Sequence, residues 1–392
     1  MIARRTEAAL SAPGLVFAVL GLALLAVPYM TLAANRIVAG EGVAPWAVAP
    51  VAQTLPALGC MIAGLVMGLP AALPKLRLGG ALLGLGGATG LLAVGAPSLL
   101  AEAGTYARVS PAAGFWGLLS VFLLLMADAL AQLAPGPILR AGLLAGALGL
   151  LAALLWSGAL SDLSVAQEFA GRADAFWRAT LRHLELALGS LGAAALIGFP
   201  LGILCHRQAA LRGSLLPVLS FLQTIPSLAM FGIMIPLLSW IAATWPAAQT
   251  IGIAGIGFAP AFIALVLYSL LPVVGNTVAG LDSVPAPVRE AARGMGMTGW
   301  QRLLRVELPL GLPVLLAGLR IVLVQNIGLA VIAGLIGGGG YGSFVFQGLN
   351  QTATDLILLG ALPTVLLAMV AAIVMDILVD VARADSTERA AA

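Results

Sequence analysis

The residues of this chain that are best placed for chemistry gather in one polar stretch, Arg289 to Pro309, between long apolar runs. Its ionisable side chains are Arg289, Glu290, Arg293, Arg302, Arg305 and Glu307. A segment that faces lipid could not carry so many charges, so the stretch is predicted to be a loop in contact with water. Alanine at its start favours a helix, whereas Gly294, Gly296 and Gly299 favour turns. By composition alone, an ordinary basic loop accounts for this stretch.

A few ionisable residues interrupt the apolar runs. Asp128 lies inside one of them; it is either a functional group or a residue near the inner end of the span that bonds a neighbour. His183 and Glu185 could serve a metal site or a proton relay, but without a third ligand an interfacial pair is the simpler interpretation. Asp376 and Asp380 are predicted to meet water near the inner end of the last span.

Another apolar run contains Arg320, Gln325 and Asn326, which would be costly if they faced lipid. Arg320 requires a partner if it lies deep in the span. Gln325 and Asn326 are adjacent and point to different faces of a helix, so either one lines a path or contacts another subunit, or both bond neighbouring helices. An earlier run is interrupted by Pro217, Pro226 and Pro236, which kink a helix that could line a path or simply pack.

The composition defines the class of protein that must position these residues. Hydrophobic residues make up 61% of the 392 positions and charged residues only 9%, against about 25% in a soluble domain. The mean hydropathy is +1.08. The fold class is therefore predicted to be an all-α polytopic membrane protein. The net charge of +3 does not indicate nucleic acid, and Cys60 and Cys205 have no metal-site spacing.

Hydropathy predicts about ten transmembrane helices, each close to the length that crosses the hydrocarbon core. They lie near residues 14–33, 55–73, 79–96, 113–133, 141–158, 184–205, 214–240, 257–280, 311–335 and 356–380. With the N-terminus inside, the inner segments hold 13 of the 19 basic residues and the outer segments 5. This asymmetry predicts that both termini and the polar stretch are cytoplasmic.

The polar outer segment that begins at residue 159 suggests a division of the chain. Residues 1–160 are predicted to form an accessory N-terminal region of about five helices, packed closely through Gly and Ala. Residues 161–392 are predicted to form a second transmembrane domain, with a cytoplasmic loop at 282–310.

The spacing within that loop resembles the EAA loop of bacterial ABC importer permeases. The residues that carry the resemblance are Glu290, Ala291, Ala292, Gly296, Leu308 and Pro309. That family usually has Ile where this chain has Val306. The resemblance implies a five-helix type I ABC importer permease core whose loop forms a coupling helix in a groove of the ATPase subunit.

Several ordered stretches, from TIPSLAMFGIMIPLL to NIGLAVIAGLIGGGGYG, resemble the osmoprotectant branch of that family, in its long variant with extra N-terminal helices. The branch imports glycine betaine, choline and related compounds. The resemblance implies a cytoplasmic ATPase, an extracytoplasmic binding protein and a second permease subunit, the same or related, as partners in the bacterial inner membrane. Residues near Pro226, Asn276, Gln325 and Asn326 would line the translocation path.

The chain lacks a Walker A motif, a catalytic triad and a metal cluster, so it is predicted to be neither an enzyme nor the holder of a cofactor. The glycine-rich stretch GGGGYGSFVFQGLNQ is expected to be a mobile outer loop, not a phosphate site. The alternative function is an ion-coupled secondary transporter with Asp128, Arg320 or Asp376 as relay groups. A non-transporting scaffold is the third possibility.

Overall fold

The computed structural model describes residues 10–36, 38–250 and 252–391. The chain forms two compact units that divide between Gly171 and Arg172. They are called the N-terminal and the C-terminal unit below. The division lies close to the predicted boundary at residue 160.

The N-terminal unit is mainly helical. Its helices are α1 (Ala12–Leu24), α2 (Val51–Met67), α3 (Pro74–Ala101), α4 (Ala113–Leu133), α5 (Pro137–Trp156) and α6 (Ser164–Gly171). Helix α3 packs between α2 and α4 around buried Leu91 and Phe122. The predicted close packing through small residues is found where α2 meets α3, since a Cβ added at Gly80 would lie 2.7 Å from the Gly64 carbonyl oxygen.

A small antiparallel sheet was not predicted from the sequence. Its strands are β1 (Met30–Ala33), β2 (Glu41–Val43) and β3 (Arg108–Pro111), in the order β2-β1-β3. The first predicted span is therefore wrong at its end, because α1 stops at Leu24 and the chain becomes extended. Pro28 disfavours helical geometry in the residue before it, and its carbonyl accepts a hydrogen bond from Gly114 at 2.8 Å. The sheet joins connections that were both predicted to be outside.

The C-terminal unit is built around one buried helix. Its helices are α7 (Ala173–Arg207), α8 (Ala209–Thr224), α9 (Ser227–Thr244), α10 (Pro246–Thr250), α11 (Phe258–Asp282), α12 (Ala286–Gly294), α13 (Gly299–Arg302), α14 (Leu308–Leu329), α15 (Gly342–Asn350) and α16 (Thr354–Ala391). Helix α11 contacts α7, α8, α9 and α14, and α14 also packs on α16. Because α11 carries no charge before Asp282, it can be surrounded by other helices without burying a charge.

Among the described residues, eight helices are long and apolar enough to cross a membrane, and α1 and α2 are shorter apolar helices. The predicted class, a polytopic helical membrane protein, is confirmed. The predicted seventh span, 214–240, is two helices, α8 and α9, separated at Ile225 and Pro226. The prediction of a mobile loop for the glycine-rich outer stretch is also corrected, since residues 342–350 form α15.

Candidate functional site

The connection between α11 and α14, residues 283–307, is named the polar connection here. It begins with α12, whose Glu290 and Ala291 side chains are exposed, whereas Ala292 is buried. Residues one and two positions apart on a helix point in different directions, so one face of α12 packs on the protein and another remains open. Ala291 and Ala292 have small side chains, so both the open face and the packed face of α12 allow close approach of another surface.

Gly296 ends α12 in a left-handed turn with φ of 76°. The amide of Met297 donates to the Ala292 carbonyl at 3.2 Å, and the amide of Gly296 donates to the Arg293 carbonyl at 2.9 Å. This pair of bonds is a Schellman motif, which requires positive φ at the position of the glycine. A Cβ at Gly296 would meet no atom within 4 Å, so the backbone angle, and not the available space, explains glycine here.

The second half of the polar connection reverses towards the membrane. Thr298 and Gln301 form a reciprocal capping box at the start of α13. A π-helical turn, Leu303–Glu307, follows, and buried Glu307 is bound by Arg302 at 2.7 Å. Leu308 and Pro309 begin α14 directly after this turn, so proline, which has no amide hydrogen, stands where π-helical geometry changes to α-helical geometry.

Basic residues at the end of α7 and the start of α8 hold the polar connection. His206 Nδ1 lies 2.8 Å and Arg212 Nη1 2.9 Å from the Asp282 carboxylate. Arg207 donates to the Gly299 carbonyl at 3.3 Å and lies 5.2 Å from the centre of the Trp300 ring. These contacts were not predicted from the sequence, although Asp282, an acid at the end of α11, was an available signal.

Large apolar side chains are exposed at three positions of the polar connection. Met295 is 69% exposed, Trp300 58% and Leu304 50%. In a segment predicted to lie in water, exposed apolar side chains of this size indicate a surface that another protein covers.

A neighbouring helix supplies hydrogen bonds at the helix break at Pro226. Tyr268 in α11 donates its hydroxyl to the Ile225 carbonyl, and Gln223 donates to the Tyr268 carbonyl at 2.7 Å. These bonds satisfy backbone and side-chain groups that lipid could not serve. Pro226 itself is exposed in the single chain.

The predicted path residues on α11 and α14 have different environments. Asn326 is fully buried and donates to Ser190 and Ser269, at 2.9 Å each, so it joins α7, α11 and α14. This corresponds to the interpretation in which it bonds neighbouring helices. Gln325 is half-buried, and Asn276 donates to the Pro272 carbonyl at 2.7 Å.

The three charged residues of the alternative transporter hypothesis are paired. Asp128 binds Arg77, which is completely buried and also donates to the Gly68 carbonyl at 3.2 Å. Arg320 binds Asp376, and each side chain is 38% exposed. Arg320 therefore has the partner that its position required, whereas Asp376, predicted simply to meet water, is an ion-pair partner.

His183 and Glu185 have separate partners. His183 Nε2 lies 3.0 Å from the Ile327 carbonyl oxygen, and Glu185 is bound by Arg182 at 2.9 Å. The predicted interfacial pair between them was therefore wrong. Among the residues that could be searched, no group of three potential ligands could hold a metal ion.

The glycine-rich turn lies against α7, and the centre of the Tyr341 ring lies 4.7 Å from that of the His183 ring, with the two rings tilted by 37°. Burial raises the pKa of the Tyr341 phenol, and its hydrogen bond with Thr180 acts in the opposite direction.

Comparisons with known proteins agree with this architecture. Residues 198–384 match the family described as binding-protein-dependent transport system inner membrane component. Residues 11–166 match the N-terminal domain of the ABC transporter permease YehY.

Curated relatives match about half of the chain. Osmoprotectant import permease protein OsmW of Salmonella typhimurium is 46% identical over 191 residues, 49% of this chain and 84% of that protein. Carnitine transport permease protein OpuCB of Listeria monocytogenes is 40% identical over 49% of this chain and 80% of that protein. Glycine betaine/carnitine/choline transport system permease protein OpuCB of Bacillus subtilis is 36% identical, with 49% and 81% covered.

A solved structure of the MetNI methionine ABC transporter in an inward-facing conformation covers 53% of this chain and 96% of that chain, with 23% identity and a TM-score of 0.45. Family membership implies an ATPase, a substrate-binding protein and a second permease subunit as partners. It supports the importer function over the secondary transporter. The chain belongs to the binding-protein-dependent family of inner membrane permease subunits of ABC importers.

Proposed function

We propose that this chain forms the membrane path of an importer for quaternary ammonium osmoprotectants, and that its ATPase docks on the polar connection. The exposed surface of that connection carries the proposal. It combines a free-standing carboxylate, Glu290, a flat alanine surface and the exposed apolar side chains of Met295, Trp300 and Leu304. Apolar side chains at the centre of an interface with charged groups around them are typical of protein docking surfaces.

Coupling depends on how rigidly α12 is attached to the membrane helices. Asp282, just before the connection, binds Arg212, and Arg207 at the end of α7 donates to Gly299 within it. A push on α12 therefore reaches α11 along the chain and α7 through α13. Glu290 accepts a charge-assisted bond from the ATPase, and Gly296 sets the turn that presents it.

The proposed path follows the broken helix at Pro226 and the polar face of α14 and α11. Gln325 and Asn276 supply neutral polar groups, and Asn326 keeps the helices in register through its two serines. The half-exposed charges of the Arg320–Asp376 pair, between α14 and α16, require water or a second subunit rather than lipid. The second permease subunit is the same or a related chain.

The substrate class comes from the relatives, which are named for osmoprotectant, carnitine, glycine betaine and choline transport. Aromatic residues make up only 6% of this chain, although quaternary ammonium groups are usually held by aromatic cages. Selectivity therefore lies mainly in the binding protein.

The test is uptake of labelled glycine betaine into proteoliposomes that contain the chain, its ATPase and its binding protein. We expect uptake that requires ATP, survives collapse of the proton gradient and is lost in Glu290→Ala while the chain stays folded. Glu41→Ala, an exposed carboxylate of β2, is the matched control and should transport normally. Uptake that follows the proton gradient, or a Glu290→Ala variant with normal ATPase binding and uptake, would contradict the proposal.

A further inference from the structure

The N-terminal unit contains a pocket at the end of the unit predicted to be extracytoplasmic. The pocket has a volume of about 500 Å³ and lies between the sheet, the α3–β3 connection and α6. Its polar lining consists of Asn35, Arg36, Thr105, Tyr106, Arg108 and Gln167. Small-molecule sites commonly have volumes of about 300–1,000 Å³ and a few convergent polar groups.

Two arginines dominate the charge of this outer pocket. In the described part of the chain, Arg36 and Arg108 are the basic side chains that line it. The carboxylate of Glu168 binds Arg36 at 3.2 Å and neutralises one of the two positive charges. The pocket therefore keeps a net positive charge and favours an anionic group.

Consecutive residues of α6 orient both guanidinium groups. Glu168, only 7% exposed, holds Arg36 through its Nε, and Gln167 accepts a hydrogen bond from Arg108. Arg108 is also fixed by the pairing of β3 with β1. Each guanidinium has five N–H donors, so these contacts position the groups without using all their donors. Pre-oriented donors lose little freedom when a ligand binds.

Tyr106 supplies a different kind of surface in the same pocket. Its side chain is 81% exposed although it is a large aromatic residue. The face of a tyrosine ring attracts a cation, including a quaternary ammonium group. Guanidinium groups bind carboxylates with paired hydrogen bonds. Both chemistries are therefore available within one pocket.

We infer that the outer pocket is an accessory site for a small zwitterion, whose carboxylate binds Arg36 and Arg108 and whose quaternary ammonium group rests on Tyr106. The choice of ligand rests on the proposed substrate class. Glycine betaine carries both groups, whereas choline has the cation without the carboxylate. The site lies wholly in the N-terminal unit, so it gives that unit a means of sensing the solute outside the cell.

The test is calorimetric binding of glycine betaine, choline and acetate to the purified full chain in lipid nanodiscs. We expect glycine betaine to bind more tightly than acetate, and choline to bind weakest. Arg108→Gln should weaken betaine binding by about tenfold to a hundredfold, the effect of one charge-assisted hydrogen bond. Tyr106→Leu should weaken it by about twofold to thirtyfold, and Tyr106→Phe should leave it unchanged.

Arg178→Gln, an exposed arginine of α7 that does not line the pocket, is the matched control and should bind as the unmodified chain does. Betaine binding that persists in both Arg108→Gln and Tyr106→Leu overturns the site. So does an absence of binding while the assembled transporter still imports betaine, a result that leaves the proposed function intact. If the Arg108 variant loses only its affinity for the binding protein, the pocket is a protein-docking surface and the inference is wrong.

Discussion

Each unit carries an arginine–aspartate pair between neighbouring helices, and the two pairs differ in how far they are sealed from the surface. In the N-terminal unit, Arg77 is completely buried and Asp128 is 24% exposed. In the C-terminal unit, Arg320 and Asp376 are each 38% exposed. The same kind of ion pair is therefore buried between helices in the N-terminal unit and half-exposed between helices in the C-terminal unit.

The inner connections differ in the same sense. In the N-terminal unit, α3 begins soon after α2 ends, and α5 soon after α4. The C-terminal unit instead extends the polar connection over residues 283–307, with exposed apolar side chains. Surfaces that bind partners or substrate commonly expose polar and apolar side chains together. The difference therefore indicates that the binding surfaces of the C-terminal unit are the polar connection and the Arg320–Asp376 pair.

The largest expected effect is in the sealed pair. Asp128→Ala leaves the buried charge of Arg77 without its partner and should lower the free energy of unfolding by about 3–5 kcal/mol. Chemical unfolding of the full chain in bicelles measures it. A double variant, Arg77→Met with Asp128→Leu, should recover most of the loss because no unpaired charge remains. A loss below about 1 kcal/mol for Asp128→Ala would remove the contrast between the two pairs.

The turn of the polar connection comes next. Gly296→Ala forces a Cβ into the left-handed region and should cost about 1–2 kcal/mol of local stability, although the added methyl group meets no atom. Gly296→Asn should cost less, because asparagine tolerates that region. Hydrogen exchange of α12 and binding of the ATPase are the measurements. Equal effects of the two substitutions would mean that backbone strain is not the reason for glycine.

For the accessible pair, we expect Asp376→Ala to change the free energy of unfolding by only about 0–1 kcal/mol, since each side chain is 38% exposed in the single chain. Transport should fall more than stability does. The paired measurements are unfolding and betaine uptake. A stability loss as large as that of Asp128→Ala would show that lipid or a partner seals this pair too.

The smallest effect is expected at Asp282, whose ion pairs lie at the start of the polar connection. Asp282 is 41% exposed, so Asp282→Asn should cost at most about 1 kcal/mol, although it weakens contacts to both His206 and Arg212. Raised salt should reduce the difference from the unmodified chain, because screening weakens exposed pairs. An effect that does not depend on salt would indicate that Asp282 acts through hydrogen bonding alone.

Local patterns predicted much of the C-terminal unit. The Glu290 to Pro309 spacing identified the polar connection, and the glycine at 296 was correctly assigned to a turn. Pro226 was recognised as an interruption, but the two separate helices and the role of Tyr268 were not, because the bond that completes the break comes from α11, 43 positions along the chain. The roles of the predicted coupling and path residues stay predictions until the variants are measured.

The sequence by itself determined the helical membrane class, the approximate positions of most helices, the side on which basic residues collect and the family. These properties depend on hydropathy, charge and spacing within short segments. Only the tertiary structure decided that Arg77 meets Asp128, that Arg320 meets Asp376, and that the sheet brings Arg36 and Arg108 to one pocket. Such contacts depend on how each helix is rotated and how distant segments pack, and hydropathy along the chain does not specify either.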